Sequence, residues 1–142
     1  MFIGHSSASV DPKGRVHLPS KFRDVLVKNY GRPLILTISD RCLAGYPSNY
    51  WLERYEALAA AEYTPEKGDL LRAITENAEE CPIKNGRILL PARLRKYAGI
   101  GHDVVIVGRI KMIEIWSKEI HAEISGKYDT KALSVKLREI GF

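Results

Sequence analysis

The sequence predicts a mainly β domain with added helices, folded from two half-size copies around one core. Three observations carry that expectation. First, residues 14–23 (Gly-Arg-Val-His-Leu-Pro-Ser-Lys-Phe-Arg) and 86–95 (Gly-Arg-Ile-Leu-Leu-Pro-Ala-Arg-Leu-Arg) share five of ten positions. Unrelated windows would share about one, and such self-similarity marks a repeat architecture. Only His17 against Leu89 breaks the match outright. Second, each copy sets short β-branched and aliphatic stretches around glycine turns. Third, 142 residues make one ordinary domain, and two halves of that length are each marginal alone, so a shared interior is expected.

The elements follow in the same order in both copies. Gly14 and Gly86 stand where a hairpin turn wants positive φ. Val16–Leu18 and Ile88–Leu90 read as strands ending at Pro19 and Pro91, which suit the first turn of a helix. Helices are expected over Ser20–Asn29 and Ala92–Tyr97, stopped by Gly31 and Gly99. Strands Pro33–Ile38 and Leu43–Tyr46 come next in the first copy, and Asp103–Val107 and Lys111–Trp116 in the second. Tyr46 and Trp116 fall at matching places, with Ser48 and Ser117 as N-caps of the helices that follow. The first of these carries Leu52, Tyr55, Leu58 and Ala59 toward the core, and the second Ile120 and Ile124, stopped by Gly126.

Between the copies, Thr64-Pro65-Glu66 opens a helix to about Asn77 with Leu70, Leu71 and Ile74 inward. Leu133, Leu137 and Ile140 give a last helical stripe. The organisation expected is a first repeat over residues 5–50, a helical connector over 51–79, a second repeat over 80–123 and a C-terminal helix over 129–142, all in one compact domain.

Charge is segregated along the chain. The net charge is +5. Residues 1–23 carry four basic groups and one acid, and residues 81–99 carry five basic groups and no acid. Residues 24–80 carry six basic and ten acidic groups. Solubility needs only a net charge, whereas two localised basic patches fit phosphate.

The chemistry-bearing residues sit in the two turns. In Asp11-Pro12-Lys13-Gly14-Arg15, Lys13 is at the tip, and Arg15 can grip guanine or clamp phosphate. Asp11, across the turn, could accept from Arg15 and fix its rotamer, could accept from a cytosine amino group, or could simply cap the turn. The second turn, Ile83-Lys84-Asn85-Gly86-Arg87, keeps Gly86 and Arg87 but has Ile83 four residues before the arginine. Asn85 tolerates left-handed geometry. The candidate DNA-binding residues are therefore Asp11, Lys13, Arg15, Lys84, Asn85 and Arg87. Lys21, Arg23, Arg93 and Arg95 lie on the following helices, but two residues apart is not one helix face, so one member of each pair is expected to be a solvated charge.

Other functions find little support. His5, His17, His102 and His121 show no metal-ligand spacing with each other or with the isolated Cys42 and Cys81, which read as small buried hydrophobes. A phosphate-binding Gly-rich loop and a nucleophile elbow are both lacking. We expect no enzyme activity, metal, cofactor or small-molecule substrate. Apolar runs fall short of the ~18–20 residues that span a bilayer, and the first residues do not form a secretory signal, so a cytoplasmic protein is expected.

These residues resemble the MraZ family of the bacterial division and cell-wall gene cluster. The resemblance runs through Met1-Phe2-x-Gly4, Asp11-x-x-Gly14-Arg15…Pro19…Phe22-Arg23, Leu43…Tyr46-Pro47, Glu80-Cys81, Gly86-Arg87-Ile88-Leu89, Tyr97-Ala98-Gly99 and Val107-Gly108…Glu114-x-Trp116. It implies two AbrB-like swapped-hairpin units closing a pseudo-two-fold β-barrel. It also implies a ring-like homo-oligomer, nucleoid-associated, that binds short direct repeats in promoter DNA and represses its own gene cluster. Asp11 and Arg15 match that family's Asp-x-x-x-Arg signature, whereas the second copy keeps only Arg87. Two other readings remain: a swapped-hairpin antitoxin whose partner is a toxin, and an assembly protein that does not bind DNA.

Overall fold

The computed structural model describes residues 1–30 and 33–142. Fifteen elements alternate along it. β1 (His5–Ser9), β2 (Arg15–His17), α1 (Ser20–Val25), β3 (Leu34–Ile38), β4 (Leu43–Pro47) and α2 (Ser48–Ala60) come from the first copy, with a π-helical turn (Leu26–Tyr30) extending α1. α3 (Pro65–Glu76) connects to β5 (Glu79–Cys81), β6 (Arg87–Leu89), α4 (Ala92–Tyr97), β7 (Asp103–Gly108), β8 (Ile113–Ser117) and α5 (Lys118–Ser125), and α6 (Thr130–Glu139) ends the chain. The mainly β architecture with helices is as expected. The helix stop assigned to Gly31 lies outside the described residues.

Six strands form one antiparallel sheet in the order β1-β7-β8-β4-β3-β5, and β2 and β6 form a separate two-stranded ribbon. The two edge strands, β1 and β5, are not hydrogen-bonded to each other, so among the described residues the sheet stays open and no barrel closes. The pairing nevertheless exchanges strands between the copies. β1 pairs with β7 of the second copy, from His5↔Val107 to Ser9↔Asp103, while β5 pairs with β3 of the first, from Leu34↔Cys81 to Leu36↔Glu79. At the centre β4 meets β8 as Leu43↔Ile115, Ala44↔Glu114 and Gly45↔Ile113, and in the ribbon Val16 faces Ile88. A pseudo-two-fold axis through Ala44–Glu114 and Val16–Ile88 relates the halves. It puts Tyr46 in the place of Trp116, as the sequence comparison has it.

The core lies between ribbon and sheet. Val16, Leu18, Phe22 and Leu26 meet Ile88, Leu90, Leu94 and Ala98 over Leu34, Leu36, Leu43, Ile106, Ile113 and Ile115, and all of these are buried. Neither half has a complete interior without the other, which is why the copies fold as one body. Gly45 is required by this packing: a Cβ there would stand 2.9 Å from Ile113 Cγ1 and 3.0 Å from Leu34 Cδ2.

The helices depart from expectation in instructive ways. Pro19 and Pro91 sit at the N-cap positions of α1 and α4 rather than one residue inside them. Pro47 does the same for α2, so Ser48 is not a cap and donates instead to the Pro33 carbonyl oxygen. Ser117, Thr64 and Asp129 do cap their helices, accepting from the amides of Ile120, Lys67 and Ala132. The apolar stripe of α2 is not core. No residue of α2 is buried, and Leu52 and Leu58 are half exposed. Leu70 on α3 is exposed as well, with Leu71 and Ile74 only half-buried. No residue of α5 is buried either, and Ile124 is exposed, while α6, whose stripe the sequence leaves unassigned, buries none of it. Helical periodicity reports that a face is apolar, and within one chain nothing large enough covers these.

Candidate nucleic-acid interface

The two basic turns sit at opposite ends of the β2–β6 ribbon. The first is a three-residue hairpin loop. Asp11 N donates to Arg15 O at 2.8 Å, Gly14 N donates to Asp11 O at 2.9 Å, and Gly14 takes φ +85°. A type I turn followed by a left-handed glycine has this pattern. The second loop is one residue shorter. Lys84 and Arg87 exchange both backbone hydrogen bonds, at 2.9 and 3.0 Å, with Asn85 (φ +53°) and Gly86 (φ +72°) between them. That is the type I′ turn Asn-Gly favours. Position by position, then, Lys84 closes the second hairpin where Asp11 closes the first, and Ile83 packs toward the core. The second loop lacks the acid because its hairpin is shorter and carries a lysine at the closing position.

Asp11 organises the first loop. Its Oδ1 accepts from the amides of Lys13 (3.0 Å) and Arg15 (2.8 Å), and its Oδ2 accepts from Arg15 Nε at 2.8 Å. The Arg15 backbone amide, then the Arg15 side chain and charge, hold the Asp11 carboxyl below its ordinary range despite partial desolvation. The same Oδ2 lies 3.8 Å from Arg87 Nη1 of the other loop.

That proximity follows from the register. Arg15 faces Leu89 and His17 faces Arg87 across the ribbon, so Arg15 and Arg87 are diagonal neighbours, about 7–8 Å apart at the backbone. Strand alternation turns Val16 and Ile88 into the core and leaves Arg15, Arg87, His17 and Leu89 on the outward face. His17, the mismatch between the copies, thus stands directly opposite Arg87.

Of the six sequence-predicted residues, the fold brings Asp11, Arg15 and Arg87 together on this face. Lys13 is exposed at the tip of the first loop, and Lys84 and Asn85 are exposed on the second. Two further arginines belong to the cluster. The guanidinium of Arg95 lies over Gly14, where a Cβ would come 3.1 Å from its Nη2, and Arg95 Nε donates to Leu90 O at 2.9 Å. The guanidinium of Arg23 lies over Gly86 in the same way. Each α-helix therefore covers the loop of the other copy. The contact is reinforced by Leu18 N to Gly86 O (2.9 Å) and Leu90 N to Gly14 O (2.8 Å). The signal was present in the repeat, where Arg23 and Arg95 are identical partners. Lys21 and Arg93 are the exposed members of their pairs, and Arg93 turns to Asn77 Oδ1 at 2.9 Å and Glu79 at 3.7 Å.

Among the described residues no three His, Cys, Asp or Glu side chains gather as a metal site, and no helix is long and apolar enough to cross a membrane. Cys42 and Cys81 are buried free thiols.

Comparison with known proteins adds a family to this geometry. A family model described as "MraZ protein, putative antitoxin-like" matches residues 1–72 and 74–136. The chain is 41% identical to the "Transcriptional regulator MraZ" of Lachnoclostridium phytofermentans, with 84% of this chain and 83% of the relative covered. It is 39% identical to the protein of the same name from Syntrophotalea carbinolica and 38% to that from Caldicellulosiruptor bescii, each covering 99% of both chains.

Proposed function

The chain belongs to the MraZ family, and from that premise we propose that it is a transcriptional regulator, not an enzyme, which reads double-stranded promoter DNA with the outward face of its β2–β6 ribbon. The observation that carries this is the convergence of Arg15 and Arg87 on one exposed face, with Asp11 orienting the first and standing beside the second. Arginine can grip guanine O6 and N7 with two hydrogen bonds or clamp a phosphate, and a fixed rotamer suits the first task. Lys13, Lys84 and Asn85 project from the loop tips toward the flanking backbone.

The finer reading is that the protein represses the division and cell-wall cluster by binding short direct repeats upstream of it. It acts in the cytoplasm, associated with the nucleoid, as a ring of identical subunits. The functional units are a repeat at 5–50, a connector at 51–79, a second repeat at 80–123 and a terminal helix at 129–142. Linking many modest contacts in a ring raises the effective concentration of each later one. The half-exposed Leu52 and Leu58 on α2 and the exposed Leu70 on α3 support such self-association, because they are large apolar side chains that the single chain leaves in water.

Footprinting on the chain's own upstream region tests the proposal. Protected, regularly spaced repeats are expected, and the Arg15→Ala, Arg87→Ala double variant should lose them. Protection unchanged in the double variant would refute the assignment of the ribbon. The antitoxin-like alternative has a different signature, a small protein that co-purifies tightly with the chain.

A further inference from the structure

The turn between β7 and β8 holds a strained isoleucine at the surface. Ile110 has φ +66°, and Lys111 N donates to Arg109 O at 2.8 Å around it. That is a γ-turn of the strained kind, and a β-branched residue is poorly suited to it. Two backbone hydrogen bonds with Phe2, each 2.8 Å, hold the turn in this shape. The side chain is not covered within the chain, since Ile110 is 51% exposed. Such strain persists only where the surrounding structure fixes it, and it clusters at functional sites. Basic residues flank the tip on both sides. Arg109 pairs with Glu114 at 3.0 Å, while Lys111 rests over the Tyr50 ring and has no ion pair among the described residues.

The chain also carries an acidic groove with an apolar floor. It opens about 580 Å³ between β3, α2 and β5, over Ile35, Trp51 and Leu52, with Glu53, Glu56 and Glu80 in its walls. None of these three carboxylates has an ion pair among the described residues, whereas Glu79 beside them is 3.7 Å from Arg93. Like charges gathered without partners favour a cation, and the exposed Leu52 favours an apolar neighbour.

The pseudo-two-fold axis supplies the comparison for both surfaces. The turn matching the β7–β8 turn, residues 39–42, has Asp40 and Arg41 at its tip, and Arg41 closes onto Glu123 at 2.9 Å. The cavity matching the groove lies between β7, α5 and β1. It is about 170 Å³ and lined by Ser7, Ser9, Asp103 and Lys118. Each chain thus has one apolar tip with basic flanks and one apolar groove with acidic walls. Two unlike surfaces that complement each other make a head-to-tail contact, which closes into a ring where the rotation allows.

We propose that the Arg109-Ile110-Lys111 turn of one copy seats in the α2–β5 groove of a second copy. Ile110 then covers Leu52 on the groove floor, and the flanking cations meet Glu53, Glu56 and Glu80. The inference rests on the ring assignment above and names the two surfaces that build the ring.

The test is the mass of the full-length protein by light scattering after size-exclusion chromatography. Ile110→Glu spoils the tip and leaves the groove, whereas Leu52→Arg spoils the groove and leaves the tip. Each variant alone should fall to monomer mass, because a ring needs both surfaces on every chain. An equimolar mixture of the two should give a dimer and nothing larger, since one intact tip then meets one intact groove. Ile110→Gly separates contact from folding. It relieves the turn, so it should raise the Tm when added to Leu52→Arg, yet on its own it should still lower the assembled mass. If folded Ile110→Glu or Ile110→Gly keeps the mass of the unsubstituted protein, the contact is overturned and the ring assignment stands. A mixture that stays monomeric, as pairing of like surfaces would leave it, overturns the contact too. If the unsubstituted protein is itself monomeric, the ring falls and the contact with it.

Discussion

Asp11 accepts from Arg15 Nε at 2.8 Å and, through the same oxygen, stands 3.8 Å from Arg87 of the opposite loop. One carboxylate thus touches both halves of the repeat, and it can do so only because the ribbon sets the two arginines diagonally across two strands.

Removing that carboxylate should be more damaging to selectivity than its single charge suggests. Asp11→Asn keeps the size of the side chain but loses the charged acceptor for Arg15 Nε. Preference for the natural upstream duplex over a scrambled one is expected to fall by up to the ~1–3 kcal/mol that a good bidentate base contact supplies. Non-specific affinity should stay level or rise, because a negative charge leaves the face. Anisotropy with both duplexes measures the two effects.

The same carboxyl gives a pH signature with a definite sign. Its folded-state pKa is lowered, first by the Arg15 backbone amide and then by the Arg15 side chain. Its contribution to stability is therefore complete above the ordinary Asp value and is lost as pH falls through the lowered one. Carbon-detected NMR titration should find Asp11 still ionised where exposed carboxylates are half protonated. An Asp11 midpoint at or above the ordinary value would contradict the hydrogen-bonded geometry.

The two turn glycines should tolerate alanine badly. Gly14 (φ +85°) and Gly86 (φ +72°) are left-handed, which costs a residue with a Cβ about 1–2 kcal/mol. In addition, each Cβ would press on a guanidinium, that of Arg95 at Gly14 and that of Arg23 at Gly86. Chemical denaturation should show both losses. The two losses should be of similar size, because the atoms a Cβ would meet first are the movable ends of arginine side chains.

The exposed leucines of α2 offer a test of assembly that spares the fold. Leu52 and Leu58 are not buried in the single chain, so Leu52→Glu and Leu58→Glu should each change its stability by only about 0.5 kcal/mol. The double variant should nevertheless fall to lower mass by light scattering. Unchanged mass would remove α2 from the proposed ring contact.

Burial pushes the Cys42 thiol up to about 12 and the Cys81 thiol up to about 11. Thiolate is the reactive form, so at pH 8 both should resist a disulfide reagent for as long as the protein stays folded. Denaturant should release both at once. Fast modification of either thiol in the native protein would show that its pocket opens.

Much of the local structure was legible in the chain. Gly14, Gly86 and Gly99 announced their turns through the backbone angles only glycine adopts cheaply. The duplicated Gly-Arg-x-x-Leu-Pro run locates the ribbon, and Thr64 and Ser117 before apolar stripes locate two helix starts. The candidate site was legible in part. Asp11, Arg15 and Arg87 stand out as charged residues at turns, but the spacing of Lys21/Arg23 and Arg93/Arg95 says only that one member of each pair is solvated, not that Arg23 and Arg95 are the ones that turn to the loops. The exposure of α2 is not legible in its sequence, since an apolar stripe states what a face avoids and not what covers it.

By itself, then, the sequence determined the repeat, the turns, the β-rich class and where the positive charge lies, because each of these depends on neighbours a few positions apart. Only the tertiary structure decided that β1 and β5 change partners, and that a hairpin one residue shorter sets Lys84 where Asp11 would stand. It also decided that each helix arginine covers the other copy's loop. The strand exchange and the helix–loop contacts join residues far apart in the chain, as in His5↔Val107 and Leu34↔Cys81, and form only when two incomplete halves bury one core together.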